Sequence, residues 1–329
     1  MKRIGIIGTG IMGTDHARLL HTSVSGAVVA GVYDLDPVRA AEVAQSSGGA
    51  RVFGNPYELI VDDDIDAVLV ASSDDTHEEY VQACITAGKP VLCEKPLAPT
   101  VEACTRIVDA EVKAGTRLVS VGFMRRFDPG YAQMKRVLQL GEIGAPLILH
   151  CVHRNPAAVP GLPGPAVITG SAVHELDITR WLFDEEIVEV SVHAPRATSL
   201  GGGTPDPQIL LLRTESGMVA DVEVFVNARY GYDVRAELVG ELGTVTLDGP
   251  PPTVLRRAGI DGRALPADWR PRFAEAYRLE LQDWVDGAGN AASAWDGFAA
   301  TFAAQTCVRA LETGTPQRVE LPPVPKLYH

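Results

Sequence analysis

The chain has 329 residues, 46% of them hydrophobic, and a formal net charge of -13, which is apolar content enough for two packed domains. An acidic balance of this size excludes nucleic acid and an anionic membrane as partners, since both require a basic footprint. The five cysteines, Cys84, Cys93, Cys104, Cys151 and Cys307, are odd in number and form no CxxC pair, so neither a disulfide framework nor a metal site is expected, and a reducing cytoplasm is the expected setting.

After Lys2 and Arg3 the apolar stretch ends at Met12, broken by glycines, and Asp15 and His16 follow; it is too short and too interrupted for a signal peptide or a membrane span. Apolar, β-branched runs at 3–7, 27–33, 67–70, 90–93 and 118–121 are predicted strands, alternating with predicted helices at 11–20, 37–46, 76–87 and 100–114. Continuous apolar runs suit strands covered on both faces by crossover helices, the pattern of a doubly wound parallel α/β sheet. Beyond Gly122 the rhythm changes. A helix at 130–140, a strand at 147–152, a Pro/Gly-rich loop at 155–170 and a helix at 173–183 precede strands at 187–193, 208–214, 219–227, 234–239 and 244–247. Strands joined by turns such as Glu215-Ser216-Gly217-Met218 imply an antiparallel meander. Helices at 273–286 and 298–312 close the chain. The expected organisation is a Rossmann domain over 1–122 and, over 123–329, an α+β domain built on a largely antiparallel open sheet that binds substrate and mediates oligomerisation.

Gly8-Thr9-Gly10-Ile11-Met12-Gly13 has GxGxxG spacing directly after a strand and at the opening of a helix. The first glycine permits the tight turn, the second lets backbone approach a pyrophosphate, and the third lets helix and strand pack closely. The second strand ends in Val32-Tyr33-Asp34, placing Asp34 where a carboxylate bonds the adenosine ribose. That carboxylate repels a 2′-phosphate and Leu35 follows it, so NAD is expected over NADP, with Arg39 the nearest opposing cation. Cys93-Glu94-Lys95-Pro96 lies at another strand end, the edge at which open α/β sheets bind ligands. A partly desolvated lysine there suits proton exchange with a substrate hydroxyl.

Taken with the glycine loop, Glu94-Lys95-Pro96 and His174-Glu175-Leu176-Asp177 resemble the glucose-fructose oxidoreductase/inositol dehydrogenase (Gfo/Idh/MocA) family over nearly the whole chain. Gly122-Phe123-Met124-Arg125-Arg126-Phe127-Asp128 and Tyr230-Gly231-Tyr232-Asp233 look most like its inositol dehydrogenase branch. The resemblance implies NAD-dependent oxidation of a secondary ring hydroxyl of a cyclic polyol or sugar. Lys95 and His174 would handle the hydroxyl proton, Asp177 would help hold substrate, and Arg125 and Tyr232 would complete the substrate pocket. Gly8, Gly10, Ile11, Met12, Gly13, Asp34, Ser72, His77, Glu94 and Lys95 would serve the cofactor. His174 and Asp177 share a helix face at three-residue spacing. The sequence departs from the branch at Gly170, where an aspartate usually precedes the histidine by four residues. A glycosidase using NAD for transient oxidation and an NAD-binding regulator are the alternative functions. Related open sheets bury one face against another subunit, so a homotetramer is expected.

Overall fold

The computed structural model describes residues 1–159, 161–249 and 254–329. Its first half alternates strand and helix: β1 (Lys2–Ile7), α1 (Ile11–Thr22), β2 (Ala27–Tyr33), α2 (Pro37–Ser46), β3 (Arg51–Val52), α3 (Pro56–Val61), β4 (Ala67–Val70), α4 (His77–Thr86), β5 (Val91–Glu94), α5 (Val101–Ala114) and β6 (Val119–Gly122). Local chemistry sets the helix ends. Asp36 caps α2 by accepting from the amides of Val38 and Arg39 with proline in the first turn, and Thr100 caps α5 through the Ala103 amide. Gly115 closes α5 at φ 72°, a left-handed stop that an L side chain resists.

The remaining elements are α6 (Pro129–Gln139), β7 (Pro146–Arg154), α7 (Gly164–Ala166), α8 (Val173–Phe183), β8 (Ile187–His193), β9 (Gln208–Thr214), β10 (Val219–Phe225), β11 (Asp233–Gly240), β12 (Thr244–Leu247), β13 (Leu255–Arg257), β14 (Ile260–Gly262), α9 (Trp269–Asp286), β15 (Ala292–Ser293), α10 (Ala294–Thr313) and β16 (Gln317–Arg318). By contact the chain divides into two units. The first is Met1–Met124 with Ala276–Thr301 and Pro322–His329, and the second is Arg125–Glu275 with Phe302–Leu321. The stretch expected as one domain, 123–329, thus gives part of α9, β15 and part of α10 to the first unit. The antiparallel pairing of β15 with β6 explains this return.

The first unit's sheet has the order β15-β6-β5-β4-β1-β2-β3 and is parallel apart from β15. β4 and β5 are buried at every position, as strands covered on both faces must be. The second unit's sheet runs β12-β11-β7-β10-β9-β8-β16. It is largely antiparallel but not a simple meander, because β7 inserts between β10, to which it is parallel, and β11, to which it is antiparallel. Its strands alternate, β9 reading buried-exposed throughout, and the buried face, including Leu149, Leu210, Leu212, Val222, Val224 and Leu238, joins Leu176, Ile178 and Leu182 of α8 in one core.

Other expectations change in the second half, where the helix predicted from 273 already begins at Trp269. The predicted loop 155–170, of which position 160 lies outside the described residues, contains α7 and a π-helical segment, Val167–Ala172, that leads into α8. Pro165 sits in the first turn of α7, a position where its fixed φ favours a helix, so its proline content misled the reading. The last long helix starts at Ala294, before the predicted residue 298. Ser293 and Asp296 exchange hydrogen bonds, the Ser293 amide to Asp296 at 2.8 Å and the Asp296 amide to Ser293 Oγ at 3.2 Å, a reciprocal cap of the helix start.

Candidate active site

In the first unit the glycine loop is built by close backbone approach. A Cβ on Gly8, at φ +91°, would lie 2.5 Å from the Ser72 amide nitrogen, and one on Gly13 would lie 1.8 Å from the Gly8 carbonyl oxygen. A Cβ on Gly10 would meet nothing within 4 Å. The N-terminus of α1 at Gly10 has no side-chain cap and no acidic residue in its first turn, and Ile11 beside it is exposed. Open amides at a helix N-terminus are donors for an anionic group.

Asp34 lies beside this loop and accepts from the Thr9 amide at 2.6 Å, the Thr9 hydroxyl at 2.9 Å and the Asp36 amide at 2.8 Å. Arg39 also donates to it, from Nη2 at 2.6 Å and Nε at 3.3 Å. Burial works against the charged carboxylate, but Arg39 and the two amides prevail and lower its pKa to about 2. A cleft of about 270 Å³ is lined by Gly8, Gly10, Asp34, Arg39, Ser72 and Tyr80, among others. A helix N-terminus with open amides, a glycine whose Cβ space is empty and a fixed carboxylate in one cleft are the features a dinucleotide requires.

The neighbouring strand ends carry the other expected groups. Ser72 follows β4 and shares a hydrogen bond of 2.7 Å with the Thr76 hydroxyl. His77 is wholly buried, with Nδ1 2.8 Å from the Pro96 carbonyl and Nε2 3.2 Å from the Ser72 carbonyl. Its ring therefore ties the turn after β4 to the turn after β5, leaving no exposed edge for the cofactor contact expected of it. Lys95 follows β5 and is partly exposed. Glu94, the last residue of β5, is buried, with Oε1 2.7 Å from His16 Nε2 and Oε2 accepting the Lys95 amide at 3.2 Å. Burial works against the Glu94 carboxylate, but His16 and the Lys95 charge hold its pKa below the usual range.

The second unit gathers a different set. Arg125 is 1% exposed and pairs with Glu175, and its Nη2 lies 3.1 Å from His153 Nδ1. His153 Nδ1 is also 3.1 Å from Glu175 Oε2. The His153 ring lies 6.4 Å from that of His174 and 6.0 Å from that of Tyr232, and Tyr232 packs edge-on against Phe273. Burial opposes the charges of both Arg125 and Glu175, yet their mutual attraction holds Arg125 protonated and Glu175 below the usual carboxylate range. Burial pushes the Tyr232 phenol up to about 12. Arg125, His174 and Tyr232, far apart in sequence, thus meet around His153. Asp177 is 1% exposed and held by Arg126 at 2.6 and 3.0 Å. Gly170 is exposed within the π-helical segment, and a Cβ there would meet nothing within 4 Å.

His16, Arg126, His153 and Glu175 had no role in the sequence reading. A histidine on the buried face of α1, in register with Gly13, Ala17 and Leu20, was a legible sign of a buried partner. So was the burial of position 153 on β7, where residues 149 and 151 face the core.

Residues 2–123 match the family model for the Gfo/Idh/MocA oxidoreductases with an NAD-binding Rossmann fold, and residues 131–246 match the model for that family's C-terminal domain. The chain is 54% identical over 330 residues, 99% of its own length and 97% of the relative's, to inositol 2-dehydrogenase 2 of Saccharopolyspora erythraea. Among solved structures, it is similar to a myo-inositol dehydrogenase from Lactobacillus casei in complex with NAD(H) and myo-inositol, at 34% identity, TM-score 0.95 and 100% coverage of both chains. It is also similar to a scyllo-inositol dehydrogenase from Lactobacillus casei with NAD(H) and scyllo-inositol, at 25% identity, TM-score 0.88, and coverage of 97% of this chain and 99% of that one. With both models matched and a full-length relative above half identity, the chain belongs to the Gfo/Idh/MocA family of oxidoreductases with an NAD-binding Rossmann fold.

Proposed function

We propose that the protein is an NAD-dependent inositol 2-dehydrogenase, which oxidises a secondary ring hydroxyl of a cyclic polyol to a ketone. The observation that carries this reading is the 54% identity with an inositol 2-dehydrogenase over nearly the full length of both chains. Gly8, Gly10, Ile11, Met12 and Gly13 receive the dinucleotide pyrophosphate at the N-terminus of α1, and Asp34 takes the adenosine ribose. Ser72, Glu94 and Lys95 serve the nicotinamide end, with His77 contributing through the turns it ties together. When bound, NAD supplies the acceptor for hydride from the carbon bearing the hydroxyl. Lys95 and His174 exchange the hydroxyl proton, as general acid–base groups of a dehydrogenase do. Asp177 holds substrate, fixed in place by Arg126. Tyr232 and Arg125 shape the polar wall, with Glu175 setting the Arg125 guanidinium.

Ile148, Ile209 and Leu211 are exposed on the outer face of the second sheet, beside the His150–Asp221 and Arg154–Glu223 pairs. This mixed apolar and charged face supports self-association into a homotetramer. The proposed setting is a reducing cytoplasm, on the cysteine pattern of the sequence; no helix among the described residues is long and apolar enough to cross a membrane.

The test follows NADH formation as purified protein meets NAD with myo-inositol, scyllo-inositol and a panel of aldopyranoses. Turnover with an inositol is expected, and Lys95→Ala should lower kcat by about 10²- to 10⁴-fold while NADH binding, read by fluorescence, persists. Tight NAD binding with no NADH from any polyol would overturn the reading, in favour of a glycosidase if glycosides are cleaved and of a regulator if they are not.

A further inference from the structure

The proton chemistry assigned to Lys95 leaves unused a buried pair directly before it. Glu94 closes β5, and each of its carboxylate oxygens has a separate task. One lies 2.7 Å from His16 Nε2 and the other accepts the amide of Lys95 itself at 3.2 Å. The two side chains are 1% and 10% exposed. Gly122, at the end of the adjacent β6, closes the third side, since a Cβ there would lie 3.3 Å from Glu94 Cα, Cδ and Oε2. The Tyr277 ring meets His16 edge-on at 5.6 Å. His16 Nδ1 is buried with no hydrogen-bond partner, and Nε2, facing a carboxylate that can only accept, donates the bond to Glu94. A buried carboxylate held by one side-chain donor must turn towards water or take up a proton when that donor is lost. Turning away releases the Lys95 amide, and protonation leaves it a neutral, weaker acceptor.

His16 also lies on the helix whose N-terminus receives the dinucleotide. From Gly10 to His16 the helix rises about 9 Å, so one rigid element links the pyrophosphate end to the carboxylate that anchors the lysine turn. We propose that His16 is a positioning residue that acts through Glu94 to fix Lys95, making α1 the brace for both the cofactor loop and the proton-transfer group. This inference rests on the dehydrogenase reading for its kinetic consequence but not for its structural one. A misplacement of about 1 Å is enough to cost about 100-fold in rate, so a brace of this kind shows itself in kcat.

Three variants separate positioning from simple packing: His16→Leu removes the donor, His16→Asn carries an amide too short to reach Glu94, and His16→Gln places an amide nitrogen near the position of Nε2. In folded His16→Leu and His16→Asn, kcat for the polyol should fall between about 10- and 100-fold, with KM and NADH affinity within about twofold. Hydrogen exchange over residues 91–97 should accelerate. His16→Gln should restore both rate and protection, and His16→Leu combined with Glu94→Gln should be no slower than Glu94→Gln alone. Unchanged kcat in folded His16→Leu would overturn the proposal, as would a fall in kcat without faster exchange at 91–97, or a His16→Gln no better than His16→Asn. If the wild type oxidises no polyol, the exchange measurement still tests the brace, so loss of the proposed function and loss of this inference are separately visible.

Discussion

The two units solve the problem of holding charge in different ways. In the first, main-chain amides at a strand end do much of the holding: Asp34, just after β2, is met by the amides of Thr9 and Asp36. In the second, side chains hold side chains. Arg125, His153 and Glu175 converge from separate elements, and Arg126 clasps Asp177. A main-chain cradle persists when one side chain changes, whereas a buried network of ions leaves an uncompensated charge when one member is lost. The first arrangement suits a cofactor common to many enzymes, and the second makes its geometry depend on a few side chains.

The contrast is broken most readily at Glu175. Glu175→Gln leaves Arg125 charged in a site that is 1% exposed, and losing one partner of a buried pair costs about 3–5 kcal/mol. Urea denaturation should show a loss of that order. Glu175→Gln combined with Arg125→Met, which removes both charges, should recover much of it, because a buried pair replaced by apolar groups is often close to neutral. A Glu175→Gln protein as stable as wild type would mean that the second unit's network is not its weak point, and the distinction between the two units would fail.

The same contrast explains what the sequence disclosed. β2, β4 and α2 run over the residues read from pattern alone, and the glycine loop with Asp34 is a local motif whose geometry follows from its spacing. His16 and Glu94 are 78 positions apart and meet only because β5 lies two strands from β1 in the sheet, an order no local pattern specifies. The cluster around His153 was hidden for the same reason: β7 lies between β10 and β11 instead of beside its chain neighbours. His77 was legible as a helix start, which it is, but its burial between two carbonyls follows from the packing of two strand-end turns.

Glycine substitutions sharpen the comparison at the next level of effect, inside the main-chain cradle. Gly13→Ala drives a methyl to 1.8 Å from the Gly8 carbonyl oxygen, an overlap that only backbone movement relieves, at about 1–3 kcal/mol. Gly10→Ala meets no protein atom within 4 Å, so its stability should stay within about 1 kcal/mol of wild type while NADH affinity falls, the methyl occupying space that backbone leaves for the pyrophosphate. Thermal unfolding beside NADH fluorescence titration distinguishes the two. Equal losses of stability in both variants would show that the loop tolerates no side chain for reasons of fold alone.

The smallest effect concerns Asp34 and is read through pH. Its pKa is lowered from 3.8 to about 2 in the folded chain, so the folded state binds the proton less readily than the unfolded one. The stabilisation is therefore complete above the unfolded value and is lost as pH falls through the folded one, over a window from about pH 4 to about pH 2. Arg39, the main opposing cation, is about half exposed at 47%, so solvent screening limits the contribution to about 1 kcal/mol. Asp34→Asn should thus be less stable than wild type near neutrality by about that amount, and the gap should close progressively below about pH 4. Urea denaturation of both proteins at a series of pH values checks it. A gap independent of pH would mean that the hydrogen-bond geometry of Asp34, and not its charge, is what the glycine loop depends on, and the cradle would then be wholly a main-chain device.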